Sequence, residues 1–184
     1  MKVRHPEIGI CGLSCRLCPR YHTDGPSRCG GCKSESRMAA GCPFITCAVK
    51  HRGIEFCWDC HEADSCERWA AHREAGRERD SFTCYAALEE NIAAVARKGL
   101  KSFAKDQLRR ERLLKDMLDR FNEGRSKTFY CIAATLLDPD ELEAAMETAS
   151  QLSGSSDVRE RSKTLRALLQ EAAAKRSVKL ALRK

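Results

Sequence analysis

Apolar positions recur at helical spacing only in the second part of the chain, from about residue 67 onward. Tyr85, Leu88, Ile92 and Val95 lie three or four residues apart, and Gly99 follows as a stop signal, so this stretch predicts a helix. Similar patterns predict four more helices, in FAKDQLRRERLLKDMLDRF, SKTFYCIAATLL, DPDELEAAMETASQL and LRALLQEAAAKR. Five helices joined by short links indicate a small helical bundle.

Two charged segments flank these helices. The segment before them, ERWAAHREAGRERD, is predicted to be a solvated helix or a linker. The segment after them, KRSVKLALRK, is predicted to be a frayed and solvated helix end. Inside the bundle, Asp138 is expected to cap a helix that has Pro139 at its first position, because aspartate and proline are typical of those two positions.

Residues 1–66 have too few large apolar side chains to form a hydrophobic core of their own. Glycine and proline recur through the segment, as in CPRYHTDGPSRCGGC. We predict loops, tight turns and short strands or helical turns held by metal, since structural metal binding supplies on the order of 10 kcal/mol. The predicted fold is a small metal-stabilised cysteine-rich module, residues 1–70, plus a mainly α-helical domain, residues 71–184.

The chain has 12 cysteines, most of them in the N-terminal part. C-x2-C pairs occur three times there, and the turn inside such a pair brings both sulfurs to one ion. Cys84 and Cys131 lie among apolar helix positions instead, and we predict that they are buried as small hydrophobic residues. The predicted metal ligands are Cys11, Cys15, Cys18, Cys29, Cys32, Cys42, Cys47, Cys57, Cys60 and Cys66.

The way in which these cysteines share metal ions stays open at the sequence level. Pairing of neighbours along the chain suggests one site from Cys15, Cys18, Cys29 and Cys32. A second site would then consist of Cys42, Cys47, Cys57 and Cys60. Cys11 and Cys66 are then left as substitutes, as members of a third site or as packed thiols. Interleaved pairing is equally compatible with the spacing.

Zinc, at about two ions, is the metal that the pattern favours, and an iron–sulfur cluster is the alternative because four cysteines can hold either. Ferredoxin-type C-x2-C-x2-C runs are missing from the sequence, which favours zinc. No apolar stretch resembles a signal peptide or a transmembrane helix. We therefore expect a cytoplasmic protein, and in that compartment dense cysteines indicate metal rather than disulfides.

The formal net charge of +7 is a weak argument for nucleic-acid binding. Metal-bound cysteines are thiolates, which lower that charge. Aromatic residues are only 6% of the chain and do not interleave with the basic runs, as they do in modules that stack on bases. A protein partner is the better expectation, and no membrane partner is predicted.

The cysteine-rich segments CGLSCRLCPRY, CGGC, CPFITC and GIEFCWDCHEADSC together resemble domain-of-unknown-function family 3795, a family of bacterial and archaeal cysteine-rich proteins. The resemblance covers about residues 9–70, and GRSKTFYCIAATLL at 124–137 is similar to a segment in the helical tail of longer members. Ser65 stands where the family usually has proline before the last cysteine, a difference of one local turn. The resemblance implies a zinc-binding protein and implies no particular reaction.

One further candidate lies in the helical part, in the segment GRSKTFYC. Arg125, Ser126 and Lys127 flank a predicted helix start, where free backbone N–H groups and two cations would form a weak anion site. The alternative is an ordinary helix joint with exposed charges. The sequence predicts no catalytic residue. We expect a binding or adaptor protein with structural metals, or else a redox or group-transfer protein that uses an iron–sulfur cluster or a reactive zinc thiolate.

Overall fold

The computed structural model describes residues 3–39, 42–154 and 157–184. Helix in the N-terminal part is confined to short segments: α1 (Glu35–Ala39), α2 (Pro43–Ile45) and the π-helical segment Thr46–His51 that continues α2. Single 3₁₀-helical turns cover Cys15–Leu17, Cys57–Asp59 and Ala63–Ser65. The predicted helical turns are thus confirmed. The predicted short strands are absent from the described residues, where only an isolated antiparallel bridge forms, between Ile8 and Ser14.

Longer helices make up the rest of the described chain: α3 (Glu67–Glu78), α4 (Leu88–Lys98), α5 (Leu100–Phe121), α6 (Lys127–Leu136), α7 (Pro139–Ser153) and α8 (Val158–Lys175). The protein is therefore mainly helical, as predicted, and α4 to α8 are the five helices that the apolar spacing indicates. The segment predicted to be a solvated helix or a linker forms helix α3, in which Trp69 and Gly76 are buried. None of these described helices combines the length and apolar character needed to cross a bilayer.

Local sequence signals set the helix boundaries. Gly99 adopts φ +80° between α4 and α5, in the left-handed region that favours glycine. Asp138 and Glu141 form a capping box at the start of α7, and Pro139 occupies its first position, as predicted. The Asp157 carboxylate accepts hydrogen bonds from two backbone N–H groups in the first turn of α8.

The main hydrophobic core lies between α5, α6, α7 and α8. Its most deeply buried side chains include Leu114 and Met117 from α5, Leu142 from α7 and Leu165 from α8. Leu17, from the N-terminal part, belongs to the same core. The cysteine-rich part is therefore anchored in the bundle by an apolar side chain that lies between two candidate metal ligands in sequence.

A second apolar cluster joins the two parts of the chain. Ile8 and Phe56 pack there against Ala94 of α4 and against Phe103 and Ala104 of α5. Both N-terminal side chains are almost completely buried. The division into modules at residues 1–70 and 71–184 stays a prediction, and α3 runs across that boundary.

The segment after α8 does not fray into solvent. Val178 and Leu180 pack against the main core, and Arg183 returns to the end of α3. Its backbone N–H and its guanidinium donate to the Asp80 carboxylate, and the guanidinium also donates to the carbonyls of Gly76 and Arg77. The prediction of a solvated, frayed end was wrong, because these contacts were not visible in the local pattern.

Candidate metal centre

Two of the C-x2-C pairs form tight 3₁₀-helical turns. In the first, the Cys18 N–H donates to the carbonyl of Cys15 at 3.3 Å, and in the other, the Cys60 N–H donates to the carbonyl of Cys57 at 3.2 Å. The remaining pair, Cys29 and Cys32, does not form such a turn, and Gly31 inside it adopts φ +94°. In zinc-binding turns of this kind the two sulfurs bind one ion. Cys57 and Cys60 fit that arrangement, since both line the same cavity.

Four cysteines form a first thiol group, defined as Cys11, Cys15, Cys32 and Cys42. The backbone N–H of Cys32 donates to the Cys15 sulfur at 3.3 Å, across 17 residues of chain. Burial, together with the neighbouring Cys32 and Cys42, raises the pKa of the Cys11 thiol to about 12. Thiols that are this close repel one another when ionised, so they need a cation if they are all to become thiolates.

Gly9 is a sequence requirement of the first thiol group. A Cβ at this position would lie 3.3 Å from the Cys15 sulfur and 3.6 Å from the Cys11 sulfur. The same Cβ would lie 3.2 Å from the carbonyl oxygen of Leu13. A larger residue would therefore press on the Cys15 sulfur and the Leu13 carbonyl, whereas its distance to the Cys11 sulfur is an ordinary contact.

Four other cysteines form a second thiol group, defined as Cys47, Cys57, Cys60 and Cys66. All four line one cavity of about 300 Å³. Burial raises the pKa of the Cys57 thiol to about 12, and Cys11 and the other three thiols of its own group add to the increase. The two thiol groups are therefore close to one another, because Cys57 of the second group interacts electrostatically with Cys11 of the first.

Cys18 and Cys29 stand apart from both thiol groups. Burial raises the pKa of Cys18, and Cys29 is the thiol that interacts with it. Cys131 on α6 is also close, because Cys18 adds to a rise in the Cys131 pKa that is due mainly to burial. Cys84 and Cys131 are both buried within the helical part, as predicted. The structure thus brings Cys15 together with Cys32, and Cys18 together with Cys29, in two different places.

No three Cys, His, Asp or Glu side chains within residues 3–39, 42–154 and 157–184 form a group that could hold a metal ion. The metals and their ligands therefore stay predictions. The chemistry of the donors nevertheless fits zinc, because each thiol group offers four sulfurs and zinc is typically held by four ligands. The Cys32 N–H donor to the Cys15 sulfur also fits, since such hydrogen bonds stabilise metal-bound thiolates.

A buried ion pair that was not predicted from the sequence lies next to the first thiol group, since its lysine directly follows Cys32. The Lys33 ammonium donates to the Glu55 carboxylate at 3.1 Å, and both side chains are almost completely buried, with 0% and 4% exposed. The same carboxylate accepts the backbone N–H groups of Arg4 and His5, at 3.0 and 2.7 Å. The ammonium also lies 3.8 Å above the Phe56 ring. The signals in the sequence were the lysine directly after CGGC and the glutamate in GIEFC.

One cation lies beside the second thiol group. The Arg52 guanidinium donates to the carboxylate of Glu62, and this contact, together with the nearby Cys47 sulfur, raises the pKa of Arg52. A guanidinium next to a thiol favours the thiolate form, which is the form that binds metal. Arg52 was not predicted, and its spacing from the cysteines gave no signal of this role.

The predicted anion site at Arg125, Ser126 and Lys127 lies at the start of α6. Ser126 is completely buried, and its hydroxyl donates to the Glu123 carboxylate at 2.9 Å. The Lys127 ammonium donates to the carbonyl of His22 at 3.4 Å, and Arg125 is exposed. The three residues therefore face different surroundings, and their role as an anion site stays a prediction.

These features define a class: a mainly helical protein with a cysteine-rich N-terminal part. Residues 7–71 match the model of the family described as "Protein of unknown function (DUF3795)". The match includes all ten candidate metal ligands, and it confirms the family resemblance for this segment. Comparisons with curated proteins and with solved structures gave no match.

Proposed function

We propose that the cysteine-rich segment binds zinc, about two ions, through the thiolates of the two thiol groups. The observation that carries this proposal is geometric: Cys47, Cys57, Cys60 and Cys66 line one cavity, and the Cys32 N–H donates to the Cys15 sulfur next to Cys11. Two sets of four match the preference of zinc for tetrahedral cysteine sites. Cys18 and Cys29 lie outside these sets and are available as substitutes.

In this proposal the metal has a structural role and the protein is a binding or adaptor module. A zinc ion with four cysteine ligands has no open position for a water molecule, so hydrolytic chemistry at the metal is disfavoured. The cysteine-rich part has a small apolar cluster of its own, centred on Ile10, Ile45 and Ala48, and metal binding would hold the loops that surround it. Those loops would then form a rigid surface next to the helical bundle, on which a protein partner can dock.

Metal analysis of matched cysteine variants tests this proposal. The protein is purified without oxygen, and zinc, iron and sulfide are measured together with the visible absorption spectrum. We expect a colourless protein with about two zinc ions per chain, and the loss of one ion in Cys57→Ser or Cys15→Ser, because serine is a poor zinc ligand of nearly the same size. Cys84→Ser is the matched control and keeps the full metal content. Unchanged zinc in both ligand variants would contradict the proposal.

The second candidate is a redox or group-transfer protein, and the cavity beside the second thiol group favours it. The cavity has apolar walls from Phe44, Ile54 and Trp69. Its polar lining consists of the four thiols and of Arg52, Glu67 and Arg68. A small molecule could reach a metal-bound thiolate from this side. Brown protein containing iron and sulfide would support an iron–sulfur cluster. Alkylation of Cys47 by iodoacetamide without loss of the second zinc ion would support a reactive zinc thiolate.

A further inference from the structure

A surface cavity unrelated to the cysteines lies between the first half of α8 and the loop that joins α5 to α6. Its volume is about 340 Å³. The loop contributes one residue, and α8 contributes the rest. The lining residues are Glu123, Arg159, Ser162, Lys163, Arg166, Ala167 and Gln170.

The cavity has an excess of positive charge. Arg159, Lys163 and Arg166 project from successive turns of α8, and none of them forms an ion pair with a carboxylate of the described chain. Glu123 is the acidic residue of the lining, and both of its oxygens are already engaged. One accepts the Ser126 hydroxyl at 2.9 Å, and the other accepts the Ser162 hydroxyl at 2.6 Å.

Arg166 is held in place by two contacts. Its Nη1 donates to the Ser126 hydroxyl oxygen at 3.1 Å, and its guanidinium lies 4.3 Å above the Phe129 ring. A guanidinium has five N–H donors, so most of them remain for a ligand. Because the side chain is already ordered, binding an anion there requires little further loss of conformational freedom.

The wall beneath these cations is a buried hydroxyl network. Ser162 is 2% exposed, and its hydroxyl oxygen, whose hydrogen is donated to Glu123, lies 3.1 Å from the hydroxyl oxygen of Ser126 and 2.9 Å from that of Tyr130. Tyr130 in turn donates to the carbonyl of Phe121 at 3.1 Å. The network connects α5, α6 and α8, so the Glu123 carboxylate and Arg166 keep fixed positions relative to one another.

We propose that this cavity binds an oxyanion group, phosphate or carboxylate, of a small molecule through Arg159, Lys163 and Arg166. Arginine suits this chemistry because its planar donors match two oxygens of such a group. The site differs from the anion site predicted at residues 125–127. The cations involved lie on α8, whereas Lys127 contacts the carbonyl of His22.

Phosphate titration of the full chain, followed by amide NMR, tests the proposal with inorganic phosphate as the probe. In the wild-type protein we expect saturable shifts of the amides at 159–167, with a dissociation constant in roughly the millimolar range, as is typical of partly exposed cations. Raising the ionic strength with sodium chloride should weaken the binding, because salt screens exposed charges. Titration with acetate tests whether a carboxylate binds at the same amides.

The decisive variant is Arg159→Ala with Lys163→Ala, since both side chains are exposed and neither belongs to the main hydrophobic core. We expect phosphate affinity to fall about tenfold, as two exposed ion contacts are lost. Lys175→Ala, which removes one positive charge at the end of α8, is the control and should bind phosphate as the wild type does. Three results would each overturn the proposal: no saturable shifts in the wild type, equal affinity in the double variant, or shifts centred on residues 125–129.

Discussion

The guanidinium of Arg183 lies 2.9 Å from the completely buried carboxylate of Asp80 and also donates to two carbonyl groups at the end of α3. The residues are separated by 103 positions in the sequence. Arg183 therefore acts as a C-terminal cap for a helix that begins in the cysteine-rich segment. Through this contact the last part of the described chain stabilises the connection between α3 and the bundle.

Replacing Arg183 tests the importance of this contact. We expect Arg183→Ala to lower the free energy of unfolding by about 2–3 kcal/mol, because it leaves a buried carboxylate without its cation. Urea denaturation followed by circular dichroism measures the change. Lys179→Ala, in the same tail and exposed, is the control and should change the stability by less than about 0.5 kcal/mol. Equal stability of all three proteins would show that the contact contributes nothing.

The contact between Arg183 and Asp80 also makes the stability of the fold depend on pH, and the pKa of Asp80 gives the direction of that dependence. Burial alone would raise the pKa of the Asp80 carboxyl, but hydrogen bonds from Arg183 and from the Tyr85 N–H outweigh burial and lower it. A carboxyl with a lowered pKa in the folded state contributes its full stability above its unfolded pKa of about 3.9. That contribution is lost as the pH falls from the unfolded value through the folded value.

Comparison with Asp80→Asn isolates this effect from other acid-sensitive groups. We expect the wild type to be more stable than the variant at about pH 6, with a difference that shrinks steadily toward about pH 3. Taking the difference between two proteins cancels the acid release of any bound metal, which is common to both. A difference that stays constant between these pH values would mean that Asp80 does not titrate with a lowered pKa.

The buried pair Lys33–Glu55 is expected to stabilise the backbone behind the first thiol group. Lys33→Met should lower the free energy of unfolding by about 3–5 kcal/mol, because it removes the buried cation of the Glu55 carboxylate and leaves only the exposed Arg4 guanidinium, 3.8 Å away. The double variant Lys33→Met with Glu55→Gln should recover part of this loss, since a neutral amide oxygen can still accept the N–H groups of Arg4 and His5. Denaturant unfolding of both variants measures the coupling. A double variant less stable than the single one would contradict this account.

Removal of metal is expected to affect the two parts of the chain unequally. We expect a chelator to abolish amide protection in residues 1–66 and to leave α5 to α8 largely protected, because these helices share an apolar core of their own. Hydrogen exchange followed by mass spectrometry resolves the two regions. Equal loss of protection in both would show that the chain unfolds as one cooperative unit, through side chains such as Leu17 that belong to the bundle core.

The helical bundle was predictable because its signals are local. Gly99, the Asp138 cap and Pro139 act within a few residues of their own position, and the apolar spacing of α5 is visible without knowledge of its neighbours. The docked tail was not predictable, because the contact between Arg183 and Asp80 joins distant positions in the sequence.

The candidate metal ligands could be identified from the sequence, but which of them lie next to one another could not. Which thiols meet depends on the path of the backbone between them, and this path includes Gly31 at φ +94°. The Cys32 N–H then reaches the Cys15 sulfur, while Cys18 turns toward Cys29. The spacing suggests that both cysteines of a C-x2-C pair bind the same ion. In the structure, Cys15 and Cys18 have different neighbours, and so do Cys29 and Cys32.

The order of the two thiol groups along the chain has a consequence for biosynthesis. All four cysteines of the first group, from Cys11 to Cys42, precede all four of the second, from Cys47 to Cys66. Ribosomes extend a chain by about 5–20 residues per second, and the N-terminal region emerges first. The first group is thus complete while the second is still being translated. If the chain binds zinc as proposed, the first ion would meet these thiols before those of the second group exist.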